Sequence, residues 1–102
     1  MKHVFSFLEE LKQVEKENIY WNSFIEQPGF EVGVLKLRVN EKDIQNPHKT
    51  DEVYFILEGD GKLNINGENV DIKLKNIYYI PRNTPHHFHS NTKDIVAFYV
   101  LN

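Results

Sequence analysis

Asn66-Gly67 stands between two short runs, Lys62-Leu63-Asn64-Ile65 and Glu68-Asn69-Val70. Asn and Gly accept the positive φ angles of a two-residue turn, so this pair predicts a β-hairpin. The same alternation of short β-rich runs and turn residues extends over most of the chain. Ile19 to Ile25 reads as a strand, Pro28-Gly29 as a type II turn, and Phe30 to Val39 as a long strand. Asn40 to Asn46 is a polar connection. Val53 to Leu57 is the longest apolar run; it is closed by Gly59-Asp60-Gly61 and reads as a mostly buried strand. Asp71 to Leu74, Ile77 to Ile80, His86 to His89 and Ile95 to Leu101 follow as further short strands, separated by turns at Lys75-Asn76, Pro81 to Pro85 and Ser90 to Asp94. About eight short strands with no alternating helices predict an all-β fold, an antiparallel β-barrel or two-sheet jelly roll.

A helix is expected only near the start. Ser6-Phe7-Leu8-Glu9 is a capping-box pattern, and Phe7, Leu8, Leu11 and Val14 recur at helical spacing to about Lys16. The organisation expected is one domain, with an N-terminal helix and strand extension over 1–31 and a barrel over 32–102.

The net charge of −3 comes from interspersed acids and bases, with no basic stripe. Nucleic acid is therefore not an expected partner. The absence of cysteine excludes disulfides, a thiolate zinc site and a cysteine nucleophile. The apolar start of the chain meets Glu9-Glu10 too soon for a secretory signal, and no run is long enough to span a membrane. The expected compartment is the cytoplasm.

Two stretches carry chemistry. In the first, His48 and Glu52 flank Lys49-Thr50-Asp51. On one straight strand they would lie ~13 Å apart, too far to share a metal ion. Lys49-Thr50-Asp51 suits a turn, so His48 is expected to end one strand and Glu52 to open the next, both facing inward. In the second, Pro81 and Pro85 interrupt the ladder and deliver His86 to the start of a strand. If His86 and Phe88 face inward, His87 and His89 face outward. Tyr54 and Ile56 share the parity of Glu52 and are expected to line the interior. Taken alone, the first stretch also suits a solvated turn pair or a helix start capped by Asn46, and His86 a satisfied loop histidine.

Over roughly Val32 to Leu101 the chain resembles a small single-domain cupin. The first cupin half-motif is matched by His48, Glu52 and Gly59, the second by Pro81 and His86, at the family's offsets. Four positions depart from the pattern. Asn46 replaces the first motif histidine, Lys75 and Asn83 replace two glycines, and Ser90 replaces an asparagine. The resemblance implies a divalent metal (Fe, Mn, Ni or Zn) held by His48, Glu52 and His86 in the barrel mouth. Asn46 and Tyr54 are then candidates for a fourth ligand or for the pocket wall. It implies a small-molecule ligand or substrate and leaves two classes open. One is a metal-dependent enzyme of dioxygenase, isomerase or lyase type. The other is a non-catalytic ligand-binding or sensor barrel, metal-free if Asn46 has cost it the ion. Phe5, Phe7, Leu8, Leu11, Trp21 and Phe24 exceed what one small barrel covers, and with the resemblance they point to a homodimer.

Overall fold

The computed structural model describes residues 2–102. Ser6 caps helix α1 (Phe7–Glu17), its hydroxyl accepting from the Glu9 N–H at 3.3 Å; Asn18 ends the helix in the left-handed region with φ 52°. Eight strands follow: β1 (Trp21–Gln27), β2 (Phe30–Leu37), β3 (Glu52–Glu58), β4 (Lys62–Ile65), β5 (Glu68–Asp71), β6 (Ile77–Ile80), β7 (His86–His89) and β8 (Ile95–Leu101). They form a five-stranded sheet in the order β1-β2-β8-β3-β6 and a three-stranded sheet in the order β5-β4-β7. Every pairing is antiparallel. The two sheets enclose one core, as a two-sheet jelly roll does.

Alternation along the strands sorts side chains between inside and outside. Leu35 and Leu37 of β2, Tyr54 and Ile56 of β3, Leu63, Phe88, and Ile95, Ala97, Tyr99 and Leu101 of β8 fill the interior. On the outer face of the larger sheet, Val34 and Val96 pack with Val14 of α1, joined by Phe7, Leu11 and Phe24. The helix thus covers one part of that face.

Three expectations are corrected. His48 ends no strand: residues 38–51 carry no regular structure, and His48 sits on the irregular strap that leads into β3. The polar groups of that strap bond partly within it, as Glu41 N–H to the Arg38 carbonyl and Gln45 N–H to Asp43, and partly to the barrel, as Phe88 N–H to Asp43. Residues 72–74 form no strand of their own. β5 ends at Asp71, and the Ile72 N–H turns back to the Gly61 carbonyl at 2.9 Å while its side chain enters the core. The Val53–Leu57 run is not buried throughout: Tyr54 and Ile56 are fully enclosed and Leu57 packs partly buried in the outer cluster, whereas Val53 is 36 % exposed. The hairpin forms as expected, with positive φ at both Asn66 and Gly67.

Candidate metal centre

The strap and the Pro81 loop meet at one end of the barrel. The Asn83 N–H donates to the His48 carbonyl at 2.6 Å. Beside it, Arg82 donates through its backbone N–H and its guanidinium to the Asp51 carboxylate. These bonds hold the Asp51 carboxyl below the usual aspartate range. The two chemical stretches, about thirty residues apart in sequence, are thereby tied together just outside the side chains of interest. Asn83 has φ 60°, and Lys75 φ 65°, so both glycine replacements sit in left-handed backbone.

Inside this clamp, His48, Glu52 and His86 converge, with one potential ligand atom from each lying within 4.8 Å of the others. Glu52 opens β3 and His86 opens β7, and both are buried. His86 Nε2 lies 3.0 Å and His48 Nε2 3.6 Å from the same Glu52 oxygen. His48 is about one-third exposed and forms the solvent side of the cluster.

The tautomer of His86 follows from its surroundings. Its Nδ1 is 2.8 Å from the Thr84 carbonyl, which only accepts, so Nδ1 carries a proton. In the neutral ring Nε2 then presents a lone pair to a carboxylate oxygen. Two acceptors at this distance require a proton or a cation between them. Burial disfavours the imidazolium, but the Glu52 carboxylate and the Thr84 carbonyl outweigh it, and the His86 pKa is raised above 6.5. The donor set also fits a divalent ion: with bonds of ~2.1 Å, adjacent ligand atoms on an octahedral ion lie ~3.0 Å apart.

Asn46 and Tyr54 fall in different places. Asn46 is exposed and lines the cavity at the mouth beside Pro47 and His48. Tyr54 is fully buried, with its ring 6.0 Å from that of His86 and its hydroxyl donating to Gln45 Oε1 at 3.1 Å. Burial, reinforced by Glu52, pushes its phenol well up. His87 is exposed and His89 half-buried; their rings lie 5.3 Å apart, away from the cluster. His89 bonds Ser90 and Asn69 instead.

The strap carries an acid that strand and turn patterns do not flag. Asp43 is buried and accepts from the Phe88 N–H at 2.8 Å, Tyr20 Oη at 3.0 Å and Gln45 Nε2 at 2.8 Å. Gln45 in turn receives Tyr54. One buried carboxylate therefore ties the strap to β7 and to the residue before β1, and so positions His48. Within a polar segment, Asp43 has no periodicity to mark it as inward. The cavity beside the cluster has a volume of ≈ 480 Å³.

The chain belongs to the cupin family, since the family model described as Cupin domain matches residues 33–102. An uncharacterized protein of Streptomyces coelicolor is 28 % identical over 78 residues, covering 76 % of this chain and 74 % of that protein. Among solved structures, the Schizosaccharomyces pombe Cnp3 cupin domain matches with a TM-score of 0.71 and 18 % identity, over 79 % of this chain and 61 % of that one. Salicylate 1,2-dioxygenase from Pseudoaminobacter salicylatoxidans matches with a TM-score of 0.71 and 15 % identity, over 93 % of this chain and 32 % of that one. The chain thus spans less than two thirds of either structure. These similarities bear on the fold, an antiparallel jelly roll with one short helix. Among the described residues, no helix is long and apolar enough to cross a membrane.

Proposed function

We propose that His48, Glu52 and His86 hold one divalent metal ion at the barrel mouth, and that the adjoining cavity takes a small-molecule ligand or substrate. The observation that carries this reading is the pair of acceptors, His86 Nε2 and the Glu52 carboxylate, 3.0 Å apart with Nδ1 already committed to Thr84. Two imidazoles and one carboxylate form the set typical of non-haem Fe(II) centres with open positions, and Mn, Ni and Zn suit the same donors. Bound there, the ion supplies Lewis-acid or oxygen-activating chemistry. The chain's own residues supply the rest. Thr84 keeps the His86 lone pair directed inward, Asp43 holds the strap, and His48 sits where a ligand enters. Asn46, at the mouth, is placed to contact a ligand or a water.

The enzymatic reading draws on the likeness to a dioxygenase barrel. The non-catalytic reading draws on Asn46, which stands where the family pattern has its first histidine. Metal analysis of protein grown with iron, manganese, nickel and zinc, never exposed to chelator, tests the centre. About one ion per chain is expected. His86→Ala should lose most of it, while His87→Ala and His89→Ala should keep it. Metal-free wild type at neutral pH, or a loss specific to His89→Ala, refutes the centre. Oxygen consumption together with product analysis across a library of small substrates then separates the two classes.

A further inference from the structure

The cavity is walled unevenly. Its charged lining, His48 apart, is Glu31 and Glu52, and among the described residues no Lys or Arg lines it. Glu31 lies on the inward row of β2, where Tyr99 donates its hydroxyl to Glu31 Oε2 at 2.7 Å. Tyr99 reaches that position because its register partner is Gly33; a Cβ there would stand 2.5 Å from the phenol. Tyr99 is the one side-chain partner of Glu31 among the described residues, which leaves Oε1 open. Glu26 lies directly across the ladder from Glu31, so the two carboxylates share a face. Neither forms an ion pair with a Lys or Arg among the described residues. Like charges placed opposite each other on a sheet destabilise it, and a cation between them relieves this. Trp21, 55 % exposed, and its register partner Leu35 add an aromatic face and an apolar wall.

An anionic head group at the Glu31 end would meet carboxylates with no compensating charge. A protonated amine meets an open carboxylate oxygen and an accessible indole, both of which favour a cation. We infer that the cavity takes a small primary amine, its ammonium group held by Glu31 and its apolar body lying against Trp21 and Leu35. This rests on reading the cavity as the ligand pocket of the proposed centre, and it makes Glu31 the specificity-determining residue there.

Benzylamine, benzyl alcohol and benzoate share one body and differ in the head group. Trp21 is the only tryptophan, so its fluorescence reports occupancy. The three probes are titrated into zinc-loaded wild type and Glu31→Gln and into chelator-stripped His48→Ala, with metal content measured on each. In His48→Ala, where benzoate has lost its route to the metal, benzylamine should bind at least about tenfold more tightly than benzoate, with the alcohol between. Glu31→Gln should retain its zinc and reduce the preference for benzylamine over benzyl alcohol to less than about threefold. The inference is overturned if benzoate equals benzylamine in His48→Ala. It is equally overturned if Glu31→Gln leaves the preference intact, or if benzylamine causes no quenching up to millimolar concentration. Failure of the metal reading shows separately, as wild type that takes up no zinc, and leaves the head-group comparison valid.

Discussion

At the residue scale, the proton on His86 and the proposed metal ion compete for one position. The folded-state pKa of His86 is raised, so in metal-free protein the imidazolium–Glu52 contact is fully formed below pH ~6.5 and is lost as pH rises through the folded pKa. Metal affinity runs the opposite way, because the ion needs the Nε2 lone pair. Metal affinity should therefore climb with pH through and beyond 6.5, while chelator-treated protein loses stability over the same interval. Metal titrations and urea denaturation between pH 5.5 and 8.5 check both slopes. A metal affinity flat across this range contradicts the assignment. Lys75 offers a separate test. It holds φ 65° with an exposed side chain, at a position where the family pattern has glycine. A left-handed backbone costs a non-glycine residue ~1–2 kcal/mol. Part of that is offset by the greater flexibility of an unfolded glycine. Lys75→Gly should raise stability by roughly 0.5–1 kcal/mol in urea denaturation. An unchanged or lowered midpoint would mean the strain is absorbed elsewhere.

Among the elements, the strap over residues 38–51 is the least regular and the most consequential. Its regularity is replaced by side-chain bonds to Asp43, which tie β7, Tyr20 and Gln45 to one buried carboxylate. Removing such a group strands donors that have lost their water. Asp43→Ala should cost about 3 kcal/mol in stability. It should also weaken metal retention, although Asp43 is not among the proposed ligands, because His48 rides on the same strap. Differential scanning calorimetry together with metal content checks this. Lost stability with full metal affinity would confine Asp43 to a structural role.

The whole molecule leaves part of its outer sheet uncovered. α1 lies over Val34 and Val96, and the Phe5 and Phe24 rings meet with centroids 5.4 Å apart, so part of the N-terminal apolar surface packs internally. Val4, Leu8, Ile19, Trp21 and Phe30 stay exposed. A second exposed apolar face lies on β3 and β6. There Val53 pairs with Tyr79 and Phe55 with Ile77; Ile77 is 67 % and Tyr79 59 % exposed. The homodimer expected from the N-terminal segment thus has this face as a second candidate interface. Sedimentation at micromolar concentration should give twice the chain mass, and Ile77→Lys with Tyr79→Lys should reduce it to one chain. A wild-type mass of one chain refutes the dimer.

The sequence by itself determined the class of fold, because that depends on local chemistry. Asn66-Gly67 specifies its hairpin through backbone φ, Ser6 and Glu9 start the helix through its unpaired N–H groups, and alternation sends Tyr54 inward and Val53 outward. It also placed Glu52 and His86 at the starts of inward-facing strands, since parity is read from the chain alone. Only the tertiary structure decided how His48 arrives. An irregular strap has no period, and its path is set by bonds to residues far away in sequence, such as Asn83 to the His48 carbonyl and Phe88 to Asp43. The same reason hid Asp43 and Glu31. A carboxylate in a polar loop, or one acidic residue on a long strand, acquires its meaning from the groups that the fold brings opposite it. For Asp43 these are the Tyr20 hydroxyl and the Phe88 N–H, and for Glu31 they are a tyrosine seated over a glycine and a second carboxylate across the ladder.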